Sequence, residues 1–306
     1  MKIDRTADRT VPWAFFVLVY VLSIPFFVIG GATGWKIAPG LPVSSLAAFC
    51  PVFAAVVLVK REQGCAGVAA LLKRALDFAR IDDKRWMAPI ILIMPFVMIA
   101  SFVVMRLSGT PVPTPVISIA TVIVLFCAAF LAGLGEEIGW SGYAIESMQE
   151  TLGALRGAVA LGLFWAAWHI VPLTQAHRSV EWIAWWCLGT VALRVVMTWL
   201  YNHTGSSVFG AALFHAMINV TWLTFPVVGS YYDPRITGLI LAGVAALVTI
   251  IWGTGSRTLR GERARGRGKQ KPCHLYVCDV GRYKPKNKSE LLIQYTVIGR
   301  LSPKRT

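Results

Sequence analysis

The chain has 306 residues, of which 56% are hydrophobic and 15% charged. A soluble globular domain carries about 25% charged residues, so this composition excludes an ordinary soluble protein. The formal net charge is +15 at pH 7, and residues 254–306 hold 14 Lys and Arg against 3 Asp and Glu. Because this basic segment directly follows an apolar run, it indicates attachment to anionic membrane lipid and excludes a nucleic-acid-binding role.

Apolar runs recur along the chain, and several of them have the roughly 18 or more residues needed to cross the hydrocarbon core of a bilayer as helices. They predict an all-α, polytopic transmembrane bundle of about eight spans. The predicted spans are 12–31, 41–59, 87–106, 116–135, 157–175, 181–200, 206–225 and 236–253. We expect two parts, a bundle over 1–253 and a basic cytoplasmic tail over 254–306 that is largely disordered.

Lys and Arg lie mainly on one side of the predicted spans. The N-terminal segment carries three, the 60–86 loop seven and the tail fourteen, whereas three of the alternate loops carry one each. Cytoplasmic loops are enriched in these residues, so we expect both termini to be cytoplasmic in a multi-pass protein of a bacterial plasma membrane. Within the 60–86 loop, the sequence VAALLKRALDFA has apolar residues at helical spacing and predicts a short interfacial helix.

Ionisable residues within or at the ends of spans are the candidates for function, because a charge at membrane depth is costly. Glu136 and Glu137 close the fourth predicted span. Neighbouring residues on a helix point about 100° apart, so the two carboxylates can engage different partners. The alternative is that the span ends at Leu134 and that both side chains lie in water.

Two histidines and an asparagine lie within other predicted spans. His169 lies in the fifth span among aromatic residues, where a structural histidine is the alternative. His215 and Asn219 lie in the seventh span, and their spacing of four places both on one helical face. Helix-to-helix hydrogen bonding is the alternative for this pair. The depths of Glu136, His169 and His215 in alternating spans allow one shared site on the cytoplasmic side of the midplane.

These residues resemble the motifs of a known family, the intramembrane proteases that include CAAX prenyl endopeptidases and bacteriocin-processing or self-immunity proteins. The family pattern is E-E-x-x-x-R, then an aromatic residue with x-x-x-H, then H-x-x-x-N. Glu136 and Glu137 begin the first motif, Trp165-x-x-x-His169 matches the second and His215-x-x-x-Asn219 the third. The resemblance covers about residues 115–225.

One position departs from the family pattern, because the family arginine falls on Ser141. A serine cannot form the bidentate pair that a guanidinium makes with a carboxylate. The departure predicts that Glu136 and Glu137 are mispositioned, or that they repel each other with one kept protonated. It therefore leaves open a catalytically inactive family member.

The resemblance implies hydrolysis of peptide bonds within the membrane. On this interpretation Glu136 is the general base on a water held with His169, and Asn219 beside His215 donates to the oxyanion. Glu137 positions the partners of Glu136 or binds a substrate group. No cofactor is required in this version. A second version uses Glu136, His169 and His215 as three ligands of a zinc ion with an open water position.

The partners expected from the sequence are membrane lipid and a peptide or membrane-protein substrate, without nucleic acid. Two other classes of function stay open at this point. One is a family member that acts in bacteriocin immunity or as a scaffold without proteolysis. The other is a small transporter, since buried carboxylates and histidines also form proton relays. Inverted repeats, which many transporters contain, are not evident in the sequence.

Overall fold

The computed structural model of the chain describes residues 10–38 and 41–253, and these residues are predominantly helical. The tail predicted over 254–306 lies outside the described residues. In chain order the α-helices are α1 (Trp13–Thr33), α2 (Cys50–Lys73), α3 (Met87–Leu107), α4 (Ile119–Gly139), α5 (Ile145–Leu152), α6 (Ala154–Gln175), α7 (Val180–His203), α8 (Val208–Thr224) and α9 (Pro234–Trp252). Shorter elements are 3-10 helices at Val43–Phe49, Arg74–Arg80 and Lys84–Trp86, a π-helical turn at Trp140–Ala144, and an antiparallel pair of strands, β1 (Lys36–Ala38) and β2 (Leu41–Pro42).

Seven helical segments of the described chain are long and apolar enough to cross a membrane. They contain α1, α2, α3, α4 with α5, α6, α7 and α9, and α8 is an eighth apolar helix of 17 residues. At 1.5 Å per residue α8 is about 25 Å long, and it packs against α3, α4 and α7. The predicted polytopic helical bundle is therefore confirmed, and the chain is a multi-pass integral membrane protein.

The structure confirms one predicted helix and corrects one predicted boundary. The short helix predicted within the 60–86 loop is present as the last turns of α2, which ends at Lys73, and the 3-10 helix that ends at Arg80. Gly64, with φ 66° and ψ −164°, kinks α2 at the point where the predicted span gives way to the basic segment. The fourth predicted span does not end at residue 135. Helix α4 continues to Gly139, and the π-helical turn and α5 extend it to Leu152.

The start of α8 is fixed by side chains that cap its free amides. The Ser207 hydroxyl accepts a hydrogen bond from the Gly210 amide at 3.0 Å and donates to the Asp77 carboxylate at 2.7 Å. The same carboxylate accepts from the amides of Val208 and Phe209 at 3.2 and 3.0 Å. Because caps of this kind satisfy amides that a helix leaves unpaired, they set the position at which α8 enters the bundle.

Glycines on α4 allow its neighbours to approach closely. A Cβ atom added to Gly133 would lie 3.1 Å from the carbonyl oxygen of Ala212 and 3.4 Å from Cβ of His215, both on α8. A Cβ atom added to Gly139 would lie 2.5 Å from the carbonyl carbon and oxygen of Pro51 on α2. Small residues at helix interfaces permit this approach in membrane proteins, and here they bring α8 and α2 against the end of α4 that carries Glu136.

We expect Gly139→Ala to lower the free energy of unfolding by about 1–3 kcal/mol, the usual cost of overpacking a close contact. The matched control is Gly243→Ala on α9, where an added Cβ meets no heavy atom within 4 Å. Alanine is the better helix former, so the control should be as stable as the wild type or slightly more so. Thermal unfolding in detergent measures both variants, and equal Tm values for the two would contradict the α2–α4 contact.

Candidate active site

The adjacent carboxylates Glu136 and Glu137 lie inside the protein. Glu136 is 5% exposed and Glu137 is fully buried, because α4 continues past them and α6, α7 and α8 surround this end of the helix. The alternative in which the span ends at Leu134 and both carboxylates are in water is therefore wrong. Their side chains point in different directions and have different partners, as the 100° step between helical neighbours requires.

Both oxygens of Glu137 are fully engaged. The guanidinium of Arg194 on α7 donates from Nη1 to Oε2 at 2.8 Å and from Nη2 to Oε1 at 3.1 Å. The Ser141 hydroxyl also donates to Oε2, and Nδ1 of His215 lies 2.9 Å from Oε1. A buried carboxylate needs this full set of partners. Glu137 therefore holds its neighbours in place and has no oxygen left for a water or a substrate.

The imidazole of His215 is oriented by its contact with Glu137. Because the carboxylate only accepts hydrogen bonds, the proton of the neutral ring lies on Nδ1. The other nitrogen, Nε2, is then a free acceptor, and it lies 3.8 Å from Oε1 of Glu136. This carboxylate–histidine contact fixes both the tautomer and the direction of the ring, as carboxylates do for histidines at many catalytic sites.

Glu136 differs from its neighbour in having one oxygen held and one open. Oε2 accepts a hydrogen bond from the indole Nε1 of Trp165 on α6 at 2.7 Å. Oε1 accepts no hydrogen bond from the residues that the structure describes, and its separation from Nε2 of His215 exceeds hydrogen-bond length. A water beside this gap can donate one hydrogen to each of the two acceptors. Oε1 is thus placed to take a proton.

Two further side chains belong to the cluster: Arg194, which sequence reasoning missed, and Trp165, which appeared there only as part of a motif and without a role. Arg194 is 1% exposed, and its guanidinium carbon lies 4.2 Å from the centre of the Trp165 ring. Arginine stacks in this way on aromatic faces. Trp165 therefore contacts the cation that holds Glu137 and also donates to Glu136. A lone arginine within the apolar run of α7 was the available signal, since charges in spans mark functional sites.

The two remaining predicted site residues make no hydrogen bond to Glu136, Glu137 or His215 within the described part of the chain. His169 is part-buried, with Nδ1 2.8 Å from the Trp165 carbonyl oxygen of its own helix. Its ring packs edge to face against the Trp165 ring, with the ring centres 5.5 Å apart, and also contacts Trp168 and Trp186. Asn219 is part-exposed one helical turn beyond His215, and its side chain has no hydrogen bond to any described residue. The structure thus brings Glu136, Glu137 and His215 together, with His169 and Asn219 one turn further along their helices.

A zinc site made of Glu136, His169 and His215 would require the three side chains to surround one ion. Within residues 10–38 and 41–253, no group of three or more His, Cys, Asp and Glu side chains is placed to bind one metal ion. Nδ1 of His215 contacts Glu137 and Nδ1 of His169 contacts a backbone carbonyl, so Nε2 is the nitrogen of each ring that is open to an ion, as in known metal sites. As they are placed, Glu136, His169 and His215 do not surround one common ion position.

Comparisons with known proteins agree with the motifs. Residues 118–221 match the family model described as type II CAAX prenyl endopeptidase Rce1-like. A CAAX prenyl protease 2 from Methanococcus maripaludis is 28% identical in an alignment of 129 residues that covers 39% of this chain and 46% of that protein. The match thus covers less than half of the relative's length. The resemblance predicted from the motifs is confirmed over residues 118–221, which contain α4 to α7, most of α8 and all the site residues.

Proposed function

We propose that this chain is an intramembrane endopeptidase that hydrolyses peptide bonds of membrane-associated peptides or proteins. The observation that carries the proposal is the pairing of an open carboxylate oxygen on Glu136 with Nε2 of His215 across 3.8 Å. Glu137 orients the histidine, and Trp165 orients Glu136. A fixed base beside a fixed imidazole, buried among helices, is the arrangement that acid–base hydrolysis needs. The similarity to CAAX prenyl proteases supports the same reaction.

In the proposed mechanism a water donates its hydrogens to Oε1 of Glu136 and Nε2 of His215. Glu136 takes a proton as the water oxygen attacks the carbonyl carbon of the substrate. The resulting oxyanion needs a neutral donor, and we assign this role to the amide of Asn219. The protonated Glu136 then passes its proton to the leaving amine as the C–N bond breaks. Glu137 keeps both oxygens on its partners throughout and orients His215.

The substrate carbonyl is expected on the side of the cluster towards which α6 and α8 run. These two helices are separated by one span, so both cross the membrane in the same direction. His169 lies one turn beyond Trp165 on α6, and Asn219 lies one turn beyond His215 on α8. Both residues are therefore displaced to the same side of Glu136, where we assign Asn219 to the oxyanion, and Glu136 with His215 holds the water in place of His169.

The substrate class proposed here is a peptide segment at or within the membrane. The relative from Methanococcus maripaludis is named for a CAAX prenyl substrate, so a prenylated C-terminal peptide is one candidate, beside leader peptides and bacteriocin-like peptides. We retain the proposal that both termini are cytoplasmic in a bacterial plasma membrane. The basic segments of the N-terminus and of the 60–86 region favour it.

The function is tested with the purified protein in detergent and in proteoliposomes. A panel of internally quenched peptides, prenylated and unprenylated, is incubated with the wild type and with Glu136→Ala, with and without a zinc chelator. Cleavage that requires Glu136 and resists the chelator supports the proposal. Cleavage that Glu136→Ala retains would contradict the assigned base. Cleavage that the chelator abolishes would contradict the metal-free route.

We expect Trp165→Phe to lower kcat about 10–100-fold, because a hydrogen bond to a charged group contributes about 1.5–3 kcal/mol and its loss frees Oε2 of Glu136. The matched control is Trp168→Phe on the same helix, whose indole donates to Ser23 at 2.8 Å and not to a carboxylate. The control should keep kcat within about threefold of the wild type. Equal losses in the two variants would show that aromatic packing, and not the bond to Glu136, matters.

A further inference from the structure

The partner of Glu137 comes from an unexpected place in the chain. The family motif carries its arginine five residues after the first glutamate, where this sequence has Ser141. The structure instead shows a guanidinium on Glu137 that comes from Arg194, 57 residues further along the chain on α7. Both contacts are short, the geometry is bidentate, and the two side chains are 1% and 0% exposed.

Position 141 and Arg194 converge on the same atom. The Ser141 hydroxyl and Nη1 of Arg194 both donate to Oε2 of Glu137. A longer side chain at 141 would therefore reach the Glu137 carboxylate, to which Arg194 now donates. The small serine leaves this volume to the guanidinium, and Gly162 of α6, whose added Cβ would lie 3.1 Å from Cβ of Arg194, lets the base of that side chain pass.

We propose that Arg194 is a positioning residue that supplies from α7 the guanidinium absent at position 141. Arg194 holds Glu137 ionised and fixed, and Glu137 in turn directs Nε2 of His215 at Glu136. The same guanidinium lies on the face of Trp165, which holds the other oxygen of Glu136. The Arg194 guanidinium thus contacts both Glu137, which orients His215, and Trp165, which orients Glu136. It has no assigned contact with the substrate.

The inference that Arg194 supports catalysis rests on the proposed protease activity. The inference that Arg194 replaces an arginine at position 141 does not. The test therefore has two readouts, Tm in detergent and Glu136-dependent cleavage of the peptide panel. The proteins are the wild type, Arg194→Ala, Ser141→Arg and the double variant Ser141→Arg with Arg194→Ala. Alanine at 194 vacates the volume that an arginine at 141 needs.

We expect Arg194→Ala to lower Tm by about 10 °C, as loss of a buried pair does in a chain of this size, and to lower kcat at least 10-fold. Ser141→Arg alone should also lower Tm, because two guanidinium groups then compete for one carboxylate. The double variant should recover at least half of the lost Tm and restore kcat to within about 10-fold of the wild type.

Recovery of both quantities supports the proposal. Recovery of Tm without kcat would show that the guanidinium is only structural, and would overturn the positioning role. No recovery of Tm, or a Ser141→Arg variant that melts at or above the wild-type Tm, would show that the two positions do not share one site. If the wild type cleaves no peptide, the protease proposal is the one that fails, and the Tm values still decide whether Arg194 stands in for an arginine at 141.

Discussion

Replacement of Glu136 by glutamine is expected to reduce kcat/KM for peptide cleavage by about 10²–10⁴-fold, the usual contribution of a general base. The fold should be retained, because the amide oxygen of glutamine still accepts the hydrogen bond that Trp165 Nε1 donates to Glu136 Oε2. The lost element is the basic oxygen that faces His215. Cleavage assays measure the first effect, and Tm in detergent measures the second.

The control for this prediction is Glu62→Gln. Glu62 is an exposed carboxylate that accepts a hydrogen bond from the Tyr143 hydroxyl at 2.9 Å, and it has no role in the proposed chemistry. Both variants remove one negative charge without changing side-chain size. If Glu136→Gln cleaved peptides at a rate similar to that of Glu62→Gln, Glu136 would not be the base.

The helical bundle could be predicted from the sequence because the thickness of the bilayer sets the length of the apolar run that a spanning helix needs. The end of α4 could not be predicted in this way. A composition argument ends a span at the first pair of charges, which here are Glu136 and Glu137. The helix continues because Arg194 and Trp165, from other spans, satisfy those charges, and this information is not local in the sequence.

The basic segment after the second span shows the same limit of prediction from local sequence. Its Lys and Arg residues predict a segment outside the hydrocarbon core that contains a short helix, and the helix extends to Arg80, but the burial of one of its arginines could not be predicted. Arg74 in this segment is 8% exposed, and it donates to the Gly142 carbonyl at 2.7 Å and to the Tyr201 hydroxyl at 2.5 Å. The Glu146 carboxylate also lies 3.5 Å from Nη2 of Arg74, so a basic residue can lie within the bundle where backbone and side-chain oxygens of other elements accept its hydrogens.

The depths and directions of the spans predicted one shared site of Glu136, His169 and His215, and the structure brings Glu136 and His215 together with Glu137. The roles of the two glutamates could not be separated by sequence, because they are identical residues at adjacent positions of one motif. The distinction depends on which carboxylate receives the guanidinium. The family motif predicts that guanidinium at position 141, so an arginine on α7 was not expected to supply it.

The two neighbouring carboxylates are expected to differ sharply in what they do for stability. Glu137→Gln should lower the free energy of unfolding by about 3–5 kcal/mol, the cost of breaking a buried ion pair by removal of one partner. The amide presents hydrogens to side chains that are themselves donors, so the hydrogen bonds from Arg194, Ser141 and His215 cannot all be kept. Cleavage should fall as well, because the His215 ring loses its orientation.

Comparison of Tm for Glu137→Gln and Glu136→Gln isolates this effect, since the two substitutions are chemically identical and one residue apart. At about 2–4 °C per kcal/mol for a chain of this size, Glu137→Gln should melt about 10 °C below Glu136→Gln. The difference arises because Glu137 neutralises a guanidinium that is 1% exposed, whereas Glu136 receives only a neutral indole donor. Equal Tm values would mean that Arg194 does not depend on Glu137, and the proposed division between a positioning and a reacting carboxylate would be wrong.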